Sequence, residues 1–307
     1  MKKTWFITGC SEGGIGAGIA KAVLDRGYNV VVTARDITKV QDIVAEYPET
    51  SLALTLDVTE PENITSAVNA AIDRFGQIDV LVNNAGYCYR SSIEEAEWEQ
   101  VYKMYETNLF GAIRLTQAVL PQMRKRCEGS IVNISSIGAA RTGEASGYYA
   151  STKAAMELMS EALHAELAPL GIKVLIVEPG AFRTHFYDSS LKGADMVIGD
   201  YKETAWKRSK ANTVNDRKQP GDPDKTGYVL IDVIESTDTP LRFVMGSDGL
   251  KAVRGALEKR LQEMDVWEKF SAKTGKAEAS RLLMPSSGLS CCSWLFSSHA
   301  SGCRRSA

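Results

Sequence analysis

Tyr149 and Lys153 stand four residues apart in a stretch of helical spacing, so their side chains share one face. A lysine ammonium beside a phenol favours the phenolate and draws a tyrosine below its usual pKa of about 10. A tyrosine so tuned can act as general acid or base near neutral pH. Neighbouring Tyr148 meets Thr152 at the same spacing, so the pairing selects Tyr149. Alone the pair decides little, because tyrosine and lysine at this spacing are common on solvated helix faces. Its company says more. Ser135-Ser136 close an apolar run thirteen residues before Tyr149, Asn83-Asn84-Ala85-Gly86 close another, and Asn108 lies in a long helical stretch.

A second constellation lies near the start of the chain. An apolar run leads into Thr8-Gly9-Cys10-Ser11-Glu12-Gly13-Gly14-Ile15-Gly16, and a helical pattern follows. Glycines let the backbone turn tightly against a pyrophosphate, and the helix start offers free N–H groups and the positive end of its dipole. Strand, glycine turn and helix in this order form the dinucleotide-binding context. The phosphate loop of nucleotide hydrolases is excluded, since Ile19 stands where its lysine is required after Gly13 and Gly18. The next apolar run ends Val32-Thr33-Ala34-Arg35-Asp36. Ala34 takes the place of the acid that would bind the ribose hydroxyls of NAD, and the Arg35 guanidinium suits a 2′-phosphate, which favours NADP(H). Glu12 and Asp36 are the carboxylates that keep NAD(H) as the alternative.

These residues need a frame. The predicted strands are Trp5–Thr8, Asn29–Thr33, Leu52–Leu56, Val80–Asn83, Ser130–Ile134, Lys173–Val177 and Arg242–Met245. Most are continuous apolar runs, as expected of strands buried on both faces of a parallel sheet. Helical patterns over Ile15–Arg26, Glu62–Phe75, Glu97–Arg124, Tyr149–Leu170, Asp224–Ser236 and Leu250–Phe270 alternate with them. The alternation predicts a doubly wound α/β sheet in a single domain over residues 1–275. Residues 182–223 break the period and carry Phe186, Tyr187, Met196, Tyr201 and Trp206, which reads as a substrate lid. From Ser280 to Ala307 the chain has nine serines, three cysteines and no acid. Residues 276–307 are therefore read as a disordered or non-native tail without chemistry.

Composition narrows the function classes. The 307 residues carry 36 basic and 38 acidic side chains, a net charge of −2 that offers no electrostatic footprint for nucleic acid. No apolar run reaches the roughly 20 residues of a membrane span. The three histidines (His164, His185 and His299) and the six cysteines lack metal-ligand spacing, so no metal is expected. Cys10, Cys88 and Cys127 are scattered singly, the pattern of reduced thiols, and the expectation is a cytoplasmic protein.

Taken in order, these motifs closely resemble the short-chain dehydrogenase/reductase family, in its single-domain branch, over residues 4 to about 270. The resemblance implies a Rossmann-type fold and an oxidoreductase interconverting a ketone or aldehyde and an alcohol. Asn108, Ser136, Tyr149 and Lys153 match the catalytic four. Thr8, Gly9, Gly14, Ile15 and Gly16 match the glycine motif, with one extra residue in a loop that also brings Ser11 to the cofactor. Asp57 and Val58 match the adenine contact, and Asn84 with Gly86 the turn supporting the adenosine side. Pro179, Gly180 and Thr184 match the stretch that touches the nicotinamide carboxamide. The implied mechanism has Tyr149 protonating the carbonyl oxygen and Ser136 donating to that same oxygen. Lys153 holds the ribose and keeps the phenol acidic, and Asn108 orders a proton-supplying water. The runs around Thr33 and Pro179 look most similar to hydroxysteroid and retinol dehydrogenase-like members, implying a bulky apolar substrate. The long helices imply a homodimer or homotetramer. Sugar-nucleotide epimerase or dehydratase chemistry would need a larger substrate domain, and the remaining alternative is a non-catalytic NADP-binding regulator or scaffold.

Overall fold

Phe6 faces one side of its strand while Trp5 and Ile7 face the other, and all three are fully buried. That two-residue alternation recurs along the first strands and divides the core into two layers. Trp5, Ile7, Val30, Val32 and Val82 pack with Ile19, Val23, Leu230 and Ile231 on one side of the sheet. Phe6, Val31, Leu81 and Ile131 pack with Ile64, Val68, Leu115 and Val119 on the other. Each such side chain taken fully out of water stabilises the fold by about 1.5–3 kcal/mol. Burial on both faces is why these strands read as continuous apolar runs.

The computed structural model describes residues 2–187, 191–214 and 218–275. Its strands are β1 (Thr4–Ile7), β2 (Asn29–Ala34), β3 (Ser51–Thr55), β4 (Val80–Asn83), β5 (Cys88–Arg90), β6 (Gly129–Ile134), β7 (Ile172–Pro179), β8 (Leu191–Gly193) and β9 (Arg242–Met245). Seven of them form one sheet in the order β3-β2-β1-β4-β6-β7-β9. All its pairings are parallel. The chain winds outward from β1 to β3, then crosses back to β4 on the other side of β1. The order therefore reverses between β1 and β4, and a crevice opens at the carboxyl ends of the strands, where open α/β sheets bind ligands. This is the Rossmann-type doubly wound arrangement.

The helices lie close to their predicted bounds and carry recognisable end signals. Pro61 opens the Pro61–Phe75 helix, and Gly76 closes it with φ +85°. The stretch predicted as one helix over Glu97–Arg124 is instead two, Trp98–Tyr105 and Gly111–Arg126, joined through a π-helical turn at Glu106–Phe110 that holds Asn108. Such widened turns recur at functional sites.

Residues 182–223 leave and rejoin the body at one place. Phe182 bridges Gly221, Arg183 N–H donates to Gly221 O at 3.0 Å, and Gly221 N–H to Ala181 O at 2.9 Å. Beyond this clasp, β8 pairs with β5 in a separate two-stranded parallel sheet. The chain divides into two compact units, Met1–Arg254 and Gly255–Ala307. The described part of the second holds the rest of the Ser247–Ser271 helix, exposed from Leu257 onward, and a short turn at Ala272–Thr274. The Ser- and Cys-rich stretch from 276 onward lies outside the described residues. Among the described residues no helix is long and apolar enough to cross a membrane.

Candidate active site

The glycine loop is locked to the β4 turn by backbone contact. Gly9 has φ +69°, and a Cβ there would lie 2.9 Å from the Cα of Ala85; one on Gly16 would lie 2.6 Å from both Gly9 O and Asn84 Nδ2. Only glycine fits either position without displacing main chain. Thr8 Oγ1 accepts the N–H groups of Asn84 and Ala85 at 2.9 Å, and Asn84 Nδ2 donates to Thr8 O at 2.8 Å and Gly9 O at 3.0 Å. Asn84 thus holds the loop in shape. The Ile15–Asp25 helix starts at Gly14 with no side-chain cap and no acid in its first turn, leaving its N–H groups to an anion. Cys10 is buried inside the loop, and burial pushes its thiol up to about 12, so it serves as a small inert side chain.

A cavity of about 1620 Å³ runs from this loop along the carboxyl edge of the sheet. Ser11, Arg35, Asp57 and Val58 line it toward β2 and β3, and Gly86 lines its middle. Ser136, Tyr149, Lys153, Pro179, Gly180 and Thr184 line the part beyond β4. Gly16 and Asn108, of the predicted set, lie behind the wall. Asp36 turns away to cap the next turn, accepting Thr38 N–H at 3.1 Å and Thr38 Oγ1–H at 2.6 Å. These bonds hold its carboxyl below the usual range.

Four elements converge on the reactive part. Ser136, after β6, accepts the Gly138 N–H at 3.0 Å, which leaves its hydroxyl proton to donate elsewhere. A Cβ on Gly138 would lie 3.2 Å from Ser136 Oγ and 3.6 Å from Tyr149 Cε1, so both groups flank one point. Tyr149 comes from the Gly147–Leu167 helix. One turn on, Lys153 is 4 % exposed and donates to Ile134 O at 2.8 Å. Burial draws the Lys153 ammonium down to about 8, against a smaller opposing pull from Glu157. Fully buried Asn108 donates to Tyr87 O at 2.9 Å and Thr152 Oγ1 at 3.2 Å, and accepts Tyr87 N–H at 3.0 Å. Its Oδ1 would lie 3.1 Å, and Lys153 Nζ 3.6 Å, from a Cβ on Gly86.

Four further residues join this group without a sequence motif of their own. Buried Glu157 accepts the Ser135 hydroxyl at 2.6 Å, and burial raises its pKa. It continues the four-residue stripe of Tyr149 and Lys153, the one signal that could have found it. Glu178, 2 % exposed, is pushed up to about 7 by burial and by the Glu157 charge, with Arg242 opposing. Phe186 sets its ring 5.7 Å from that of Tyr149, and His185 packs over the glycine loop, where a Cβ on Gly13 would lie 2.7 Å from its Cδ2. Both come from the 182–223 excursion.

A family model described as short chain dehydrogenase matches residues 3–194. The chain belongs to the short-chain dehydrogenase/reductase family. Membership makes it an oxidoreductase of CH–OH and carbonyl groups. An oxidoreductase of Botryotinia fuckeliana, BOA17, is 31% identical over 272 residues, covering 88% of this chain and 98% of that protein. The crystal structure of a short-chain dehydrogenase from Streptomyces avermitilis is 40% identical and superposes with a TM-score of 0.83, covering 89% and 98% of the two chains. An alcohol dehydrogenase of Thermococcus sibiricus, in complex with 5-hydroxy-NADP, is 26% identical with a TM-score of 0.66, over 80% and 96%.

Proposed function

We propose that this protein is an NADP(H)-dependent reductase and dehydrogenase acting on a bulky, largely apolar carbonyl or alcohol, of steroid-, retinoid- or lipid-like character. The observation that carries the reading is the meeting of Ser136, Tyr149 and buried Lys153 in the cavity that begins at the glycine loop. The loop suits a dinucleotide, since Gly9 and Gly16 are packed where any Cβ would collide and the helix behind them presents uncapped N–H groups. Gly9, Ser11, Gly14 and Ile15 would hold the pyrophosphate, and Gly16, behind the wall, gives the loop its shape. Asp57, Val58, Asn84 and Gly86 border the adenosine, and Pro179, Gly180 and Thr184 border the nicotinamide. Arg35 takes the 2′-phosphate, supported by Asp36 being engaged with Thr38 and by the NADP analogue carried by the Thermococcus relative. Bound NADP(H) supplies or accepts the hydride.

Tyr149 gives its phenolic proton to the substrate oxygen in reduction and takes it back in oxidation. Ser136 donates a hydrogen bond to that oxygen, where charge develops. Lys153, held by Ile134 O, keeps positive charge beside the phenol and binds the ribose. Asn108, with its side chain engaged by Tyr87 and Thr152, orders the water that returns the proton through its main chain at the π-helical turn. Residues 182–223, clasped at Phe182 and Gly221, form the substrate lid, with Phe186 beside Tyr149 as its apolar lining. Residues 1–275 are the working unit, which functions as a homodimer or homotetramer in the cytoplasm. The test follows NADPH and NADH oxidation against steroid, retinoid and aryl ketones, with Tyr149→Phe as control. Turnover falls by about 100- to 10,000-fold in the variant while NADPH fluorescence still reports binding. Undiminished turnover in Tyr149→Phe would remove the tyrosine from the mechanism.

A further inference from the structure

Arg90, the last residue of β5, lines the cavity and is only 7 % exposed. Its Nη1 donates to Ser146 Oγ at 3.1 Å, and its Nε has no hydrogen-bond partner among the described residues. The side chain also meets the Cys88 thiol, which burial holds uncharged by pushing it up to about 11. The acids that follow Arg90 in sequence are engaged elsewhere. Glu94 accepts the Tyr201 hydroxyl, and Glu95 accepts the Ser92 hydroxyl and the N–H groups of Val197 and Ile198. A guanidinium taken out of water without an anion beside it is strongly unfavourable, and the deficit is made good by a ligand that brings the anion.

The surroundings point the same way. Ser146 is where the 21-residue Gly147–Leu167 helix begins, with no side-chain cap and no acid in its first turn. The positive end of that helix and the Arg90 guanidinium therefore meet at one side chain. Lys192, paired with Tyr89 and with its Nζ 5.1 Å from the Tyr87 ring centre, lies on the other face of the β5–β8 pair from Arg90. Among the described residues, the cavity wall contributed from Ile134 to Arg208 includes Arg141 and no acid; the described acids that line it come from earlier in the chain.

We propose that this corner is a subsite for an oxyanion on the substrate, a carboxylate or a phosphate, bound by Arg90 beside the start of the Gly147–Leu167 helix. The proposal deepens the carbonyl-reduction reading and rests on it. Tyr149 lies three residues beyond Ser146, about 4.5 Å along the helix axis. The preferred substrate is thus an amphipathic oxo acid or phosphorylated ketone, with its carbonyl near the anion and its apolar body against Phe186.

Matched probes test this: an aryl oxo acid, its methyl ester, and a phosphorylated ketone of similar size. Each is assayed by NADPH oxidation and by calorimetric titration into the NADP⁺-loaded protein. The acid or the phosphate exceeds the ester about 10-fold or more in kcat/KM, and Arg90→Gln lowers that preference about 10- to 100-fold. Lys192 is exposed and on the other face of the strand pair, so Lys192→Ala is the control and leaves the preference within about 2-fold of wild type. Whichever anion shows the larger preference identifies the headgroup. Equal use of anion and ester by the wild-type protein overturns the subsite. So does a preference unchanged in Arg90→Gln, a loss as large in Lys192→Ala as in Arg90→Gln, or an Arg90→Gln effect confined to the KM for NADPH. If no probe turns over but the anion alone binds in an Arg90-dependent way, the subsite stands and the reduction reading fails. If no probe turns over and the anion does not bind, the subsite fails with it.

Discussion

Replacing Lys153 by methionine separates what the residue does for activity from what it does to stability. The ammonium is 4 % exposed and its pKa is drawn from 10.5 down to about 8, so the folded state disfavours the charge that the unfolded chain carries freely. Below about pH 8 that difference costs the fold about 3 kcal/mol, partly offset by the bond to Ile134 O, which contributes about 1–2 kcal/mol. Between pH 8 and 10.5 the unfolded chain holds the proton and the native chain does not, so native stability rises with pH. The hydrogen-bond contribution is nearly constant, which makes the pH-dependent part the cleaner signal. Urea unfolding of wild type and Lys153→Met is compared at pH 7, 8, 9 and 10. The variant is more stable than wild type by about 1–2 kcal/mol at pH 7, and wild type regains about 3 kcal/mol on it toward pH 10.5. Activity moves the opposite way, because reduction needs the charged lysine; kcat/KM of the wild type falls above about pH 8. A stability difference that stays flat across this range would refute the desolvated-cation account.

Two further perturbations bear on the cofactor end of the cavity. Arg35→Ala removes the guanidinium at the end of β2 and lowers the preference for NADPH over NADH by about 10- to 100-fold in kcat/KM; an unchanged ratio would take the 2′-phosphate away from Arg35. Gly18→Ala should destabilise, because the new Cβ would lie 2.0 Å from Pro223 O. Overpacking of about 1–3 kcal/mol outweighs the gain of at most about 1 kcal/mol from alanine in a helix. A variant more stable to urea than wild type would contradict the close packing of the Ile15–Asp25 helix on the Pro223–Lys225 turn.

Much of the frame was legible in the residue order. Val80–Asn83 and Arg242–Met245 lie at their predicted bounds, and the other five predicted strands shift by at most two residues at either end. Continuous apolar runs survive only where both strand faces are buried, so the pattern itself announced a parallel sheet. The glycine loop, the Tyr149 and Lys153 spacing and the Asn84 turn were equally local features. The π-helical turn at Asn108 was not, since widening a helix by one residue leaves almost no trace in periodicity.

The sequence by itself determined the seven strands of the main sheet, most of the helices around it and the family, but not the small β5–β8 pair. These follow from side-chain period, turn chemistry and short motifs, each contained in a few neighbouring positions. Only the tertiary structure decided that Glu157 holds Ser135, that His185 covers the glycine loop, and that Lys153 is buried deeply enough to shift. It also decided that Arg90 is largely buried beside the start of the Gly147–Leu167 helix, with no carboxylate paired to it among the described residues. Burial and charge pairing depend on what residues distant in sequence bring to the same point, and no local pattern carries that information.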